Sequence, residues 1–95
     1  MWIEIDGLPE PEHEGVKRFI VLVNLDSGIQ IVKRIKEQAT SMEKGITKNE
    51  YQLILRNLNG EGQVLKAPES MSELDREVDG LKKIIKEKEG KLFKL

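Results

Sequence analysis

The chain has 95 residues with 16 basic and 17 acidic side chains, one histidine and no cysteine. That length fits one domain with a single core, and the missing thiols exclude a disulfide framework, a cysteine nucleophile and cysteine-ligated zinc or iron–sulfur sites. Net charge is −1, but it is unevenly spread: residues 1–15 hold five acids and no base, whereas residues 80–95 hold six lysines against Glu87 and Glu89.

No apolar run approaches the roughly 18–20 residues of a membrane span. No basic region precedes an apolar stretch at the start, so a soluble, cytoplasmic protein without membrane partners is expected. Abundant Lys and Glu without Cys also give the composition a thermophile-like cast.

Taken in chain order, Met1 to Asp6 alternates apolar and acidic residues and predicts a short strand, with Ile3 and Ile5 on one face. Gly7 to Gly15, with two prolines and two flanking glycines, predicts a loop. Phe19 to Val23 is the most apolar run, rich in β-branched residues, and predicts a central strand covered on both faces.

The following segment fits two readings. Asp26-Ser27-Gly28 closes a hairpin onto a strand at residues 29–35, or Asp26 or Ser27 caps a helix with Val32, Ile35, Ala39 and Met42 inside. The β-branched content of Ile29, Ile31, Val32 and Ile35 favours the strand. Thr47 and Glu50 then have the spacing of a capping box, with Ile46 and Tyr51 as its hydrophobic staple. The alternation Tyr51-Leu53-Leu55 also permits a strand, but the cap favours a helix with Tyr51, Ile54, Leu55 and Leu58 inside and Asn59-Gly60 as its stop.

Gln63 to Ala67 predicts a short strand before Pro68. Ser70 to Glu89 carries the strongest signal in the chain. Met71, Leu74, Val78, Leu81 and Ile85 recur at helical spacing, and Ser70 with Glu73 forms a capping box. Acids gather in the first half of this helix and lysines in the second, as the helix dipole prefers, and Gly90 supplies the stop. Lys91 to Leu95 predicts a terminal strand. The expected fold is therefore α+β: one small domain over residues 1–95, an antiparallel or mixed sheet, and two or three helices on one face.

Equipment for catalysis is sparse. A Ser–His–acid triad would have to use His13, which lies in the proline-bracketed loop, and no serine sits in a nucleophile-elbow context. Gly60-Glu61-Gly62 begins like a dinucleotide loop, but Leu65 stands where its third glycine belongs, and no P-loop is present. No catalytic residue and no organic cofactor is assigned.

Two segments have the donors for a hard divalent cation such as calcium. Asp6, Glu10, Glu12 and Glu14 space carboxylates along the N-terminal loop. Residues Asn57 to Val64 resemble the first half of an EF-hand calcium loop, with oxygen donors at Asn57, Asn59 and Glu61 followed by Gly62. That resemblance covers eight residues, and Pro68 stands where the closing Glu belongs. An Asn-Gly stop leading into a turn explains the same residues. Glu61 joins the candidate metal set on the strength of the resemblance.

Lys82, Lys83 and Lys86 form a candidate anion-binding face on the last helix, open to phosphates of a nucleic acid. The same lysines also complement the helix C-terminus. The expected function is a non-enzymatic binding or interaction module with a protein partner. The alternatives are calcium binding through the acidic loop and an RNA-associated accessory role through the lysine face.

Overall fold

A computed structural model describes residues 1–41 and 46–95, and the side chains of residues 1–37 and 48–95. Six strands form one sheet: β1 (Trp2–Pro9), β2 (Val16–Asn24), β3 (Gln30–Ser41), β4 (Ile46–Arg56), β5 (Gly62–Lys66) and β6 (Phe93–Lys94). One helix, α1 (Met71–Glu89), connects β5 to β6. Spatial order is β5-β4-β3-β2-β1-β6. The first five strands form an antiparallel meander, and β6 closes onto β1 in parallel, as a strand returning through a helix can. The sheet is thus mixed and the class roughly α+β, as expected.

The helix count is corrected. Among the described residues there is one helix, not two or three, because the segment read as capped by Thr47 is strand β4. Its Thr47-x-x-Glu50 spacing is real, but β4 pairs with β3 from Gln30↔Arg56 out to Ser41↔Ile46 and with β5 on its other side. Backbone hydrogen bonding is thereby satisfied across strands, and local cap chemistry loses to tertiary pairing. Ile54 and Leu55, which the helix reading put on one inner face, point to opposite sides of the sheet, and Leu58 is exposed in the turn beyond. The alternative helix at residues 32–42 gives way to β3 in the same manner; its Met42 lies outside the described residues.

The predicted loop at Gly7–Gly15 begins later than expected. Strand β1 runs on through Gly7, Leu8 and Pro9, with a register shift between Glu4 and Leu8 where Gly7 takes φ +61°. A left-handed residue of this kind is what a bulge needs, and glycine supplies it without strain. The chain then turns tightly at Glu14 and Gly15, both at positive φ (51° and 74°), between the bridged His13 and Val16. Two left-handed central residues match the twist of the flanking strands.

A second irregularity lies in β2. Ile20 faces Val32 and Leu22 faces Ile31, leaving Val21 as an extra residue. Val21 and Leu22 are both buried, at 4% and 0% exposure, in the cluster formed with Ile31, Leu53, Leu74, Val78 and Ile85. Trp2, Tyr51, Leu55, Leu81 and Leu92 pack around it. This core lies between α1 and one face of the sheet; β2 is interior, as its apolar run predicted, but it is not covered on both faces, because the single helix packs on one side only.

The helix itself is as the sequence implies. Ser70 Oγ accepts from the Glu73 N–H at 3.2 Å, and Gly90, at φ 79°, donates its N–H to the Lys86 carbonyl. The reciprocal arm differs from a standard capping box: the Glu73 carboxylate accepts from the Glu69 N–H at 3.1 Å.

Candidate anion-binding face

Side chains alternate across a strand, and residues facing each other in register share a face. Glu4, Leu22, Ile31, Lys33, Leu53 and Leu55 therefore lie on the helix side. The opposite side carries no helix. There the register stacks three cross-strand rows: Arg18↔Arg34↔Gln52, then Ile20↔Val32↔Ile54↔Val64, then Val23↔Gln30↔Arg56↔Gly62. An apolar row is flanked by two rows that each contain arginine. Ile20 and Val32 are buried, at 8% and 1% exposure, and Val64 stays 47% exposed.

The charges on this face are not balanced within it. Arg18 stands directly opposite Arg34, a like-charge pairing of residues whose Cα atoms are about 5 Å apart in any such ladder. Facing like charges are destabilising. In the neighbouring row, by contrast, Lys36 faces Glu50. Among the described residues no carboxylate lies within ion-pair distance of Arg18 or Arg34. Arg34 donates from Nη1 to Gln52 Oε1 at 3.1 Å, while its Nε is buried and has no acceptor among the described residues. An unmet buried donor costs ~1–3 kcal/mol, so this arrangement is unfavourable unless something supplies an acceptor.

Arg56 differs, being held on every side. Its Nε and Nη2 donate to Gln30 Oε1 at 3.0 and 2.6 Å, and Nη1 meets Glu10 Oε1 at 2.7 Å, with both side chains of that ion pair mostly buried. The three arginines line one cleft of about 300 Å³, walled also by Ile54 and Val64. Gly62 lies at its rim, and a Cβ there would come within 2.9 Å of Ile54 Cγ2. A larger cleft of about 480 Å³ between β4 and Pro68 mixes Lys48 with Glu50 and Glu69 and so has no single charge preference.

The residues singled out from the sequence are dispersed. Glu10 turns inward to Arg56, while Asp6, Glu12 and Glu14 are exposed. Glu14 comes only to 3.9 Å from His13 Nε2. Asn57 Oδ1 accepts from the Asn59 and Glu61 N–H groups at 3.0 and 3.1 Å, so the segment resembling a calcium loop is an Asx turn joining β4 to β5. Among the described residues no three Asp, Glu or His side chains are grouped to hold a metal ion.

On the helix, Lys82 Nζ meets Glu4 Oε1 at 2.6 Å with both side chains mostly buried. The Lys82 ammonium, by hydrogen bonding to Glu4, holds that carboxyl below its ordinary value against the opposing effect of burial; the charges of Lys82, Lys94 and Lys86 add to this. Lys82 is therefore neutralised within the fold, and Lys83 and Lys86 remain exposed. The terminal ammonium of Met1 pairs with Asp26, which raises its pKa.

Nothing local in the sequence joins Arg18, Arg34 and Arg56 into one site. Their signal is an arginine two places from a β-branched residue in three segments: Arg18-x-Ile20, Val32-x-Arg34 and Ile54-x-Arg56. It becomes visible only once all three segments are strands. Compared with family models, with curated proteins and with solved structures, the chain shows no match. Among the described residues no helix is long and apolar enough to cross a membrane.

Proposed function

We propose that this protein is a non-enzymatic binding module that takes an anionic partner on the helix-free face of its sheet. One observation carries this reading: Arg18 faces Arg34 with no carboxylate within ion-pair distance of either among the described residues, beside an unmet Arg34 Nε. Such a pairing disfavours the free fold and is relieved by a bound anion. Guanidinium groups suit the role, because they present planar forks of donors matched to carboxylate and phosphate oxygens.

Binding is favoured over catalysis because the face offers fixed cations and apolar surface but no group suited to move a proton at neutral pH. His13, the single imidazole, is 75% exposed on a turn. The arginine face is favoured over the lysine helix as the anion site because Lys82 is already paired with Glu4.

The test is retention on heparin at low salt, with elution that moves steeply with ionic strength. R18Q and R34Q should weaken retention, and K83Q and K86Q should leave most of it. Equal loss from the lysine variants would move the site to the helix, and no retention at any salt would end the anionic reading. Calcium-induced shifts confined to amides of residues 6–14 would favour the divalent-cation alternative instead.

A further inference from the structure

We infer that the group bound between Arg18 and Arg34 is a phosphate monoester dianion, an inference that rests on the arginine face being the binding surface. Charge count separates the possible anions. Three guanidinium groups line the cleft and Glu10 supplies one compensating carboxylate, which leaves two positive charges unmatched. A carboxylate, a sulfate ester or a phosphodiester brings one negative charge and leaves the other unmatched. A phosphate monoester carries about −1.5 to −2 near neutral pH and has three terminal oxygens.

The donors divide in the same way. Arg56 is anchored by Gln30 and Glu10 through all three of its nitrogens, so it forms a fixed wall of the cleft. Arg34 is anchored through Nη1 to Gln52, which leaves Nη2 for a ligand and, once the side chain rotates to uncover it, the buried Nε. Arg18 makes no ion pair among the described residues and supplies the second fork. Two forks on adjacent strands match a tetrahedral group with three free oxygens better than a planar one with two. Ile54 and Val64, on the wall of the same cleft, give the organic part of the ester an apolar surface.

Glu10 has a second part in this arrangement. Its carboxylate already occupies one nitrogen of Arg56 at 2.7 Å, so it trims the site's charge from three to two. That trimming sets the preference for a dianion over more highly charged groups. Removing the carboxylate should shift preference toward groups of higher charge, such as a pyrophosphate.

The experiment is an amide and arginine-Nε NMR titration of the whole chain with inorganic phosphate, pyrophosphate, a nucleoside 5′-monophosphate, its methyl phosphodiester, and a short oligonucleotide with or without a 5′-phosphate. The expected result is a monophosphate bound about tenfold or more tighter than its diester, with the largest shifts at Arg18 and Arg34. R34K keeps the charge but loses the fork, and should weaken the monophosphate about tenfold while the spectrum stays that of the folded protein. R18Q should do the same, and E10Q should narrow the gap between pyrophosphate and monophosphate. Comparable affinity for mononucleotide and 5′-phosphorylated oligonucleotide supports a free small ester. Tighter binding of the oligonucleotide supports the same chemistry at a chain end.

Monoester and diester binding alike, or binding unmoved by R34K and R18Q in folded protein, overturns the monoester assignment. If heparin retention still depends on Arg18 and Arg34, that result leaves the broader anionic reading standing. No response to any probe, together with no heparin retention, overturns both.

Discussion

On the helix-covered side of the sheet, Lys33 reaches Asp75 at 3.1 Å and Lys82 reaches Glu4 at 2.6 Å. On the open side, Arg18 meets Arg34 instead. The covered side draws these partners from the helix, whereas the open side, which no helix covers, has only cross-strand neighbours to offer. The covered side is arranged for stability: cations there are paired before they are taken out of water, as burial of charge requires. The open side pairs Arg56 with Glu10 but leaves Arg18 facing Arg34 without an ion pair among the described residues. That contrast is the ground for proposing that the charges of the open side serve a partner outside the fold.

Breaking the covered side should give the largest effect. Leu74 is fully buried in the core, and Leu74→Ala should lower unfolding free energy by ~2–5 kcal/mol in urea denaturation. Anion binding per folded molecule should not change. Next is the Glu4–Lys82 pair, where Glu4→Gln should cost ~1–2 kcal/mol at neutral pH. Because folding depresses the Glu4 pKa, its contribution is fully present above the ordinary carboxylate value and fades as pH falls through the lower folded value. The gap between wild type and Glu4→Gln should therefore close in denaturation curves taken at progressively lower pH.

Loss of the Ser70 cap, by Ser70→Ala, should cost ~1 kcal/mol by the same measurement, with binding untouched. The smallest effect has the opposite sign and sharpens the contrast most. Arg18→Gln removes a like-charge facing pair and should raise stability by ~0.2–1 kcal/mol while lowering anion affinity. A destabilised Arg18→Gln would mean that the open face is no more strained than the covered one.

Much of the covered side was legible in the sequence. Helical spacing from Met71 to Ile85 and the Ser70 and Gly90 caps set out α1, and the Phe19–Val23 run marked an interior strand. These signals are local, carried by residues within one element. The capping spacing at Thr47 and Glu50 is equally local, yet β4 forms because strands on both sides supply its backbone partners. Tyr51, Leu53 and Leu55 alternate as a strand requires, and Ile54 on the other phase reaches the open face. The arginine site was illegible for a related reason. Arg18, Arg34 and Arg56 are remote in sequence, and only the register of three strands brings them together. Acidic and basic runs drew attention to the ends of the chain, where Glu10 and Lys82 prove to be committed to internal partners.

The spare residue in β2 has a consequence for how this chain tolerates changes of length. Removing Val21 would convert the irregular stretch to ordinary ladder while every flanking residue kept its facing partner, at the expense of one buried valine. Removing Phe19 would draw on the same slack: Ile20 and Val21 would each move one place along the ladder, Ile20 to the helix side and Val21 to the open side, while Arg18 kept Arg34. Single-residue deletions in this part of β2 would thus be taken up by the spare residue, with loss of a buried valine in one case and an exchange of faces between two apolar side chains in the other.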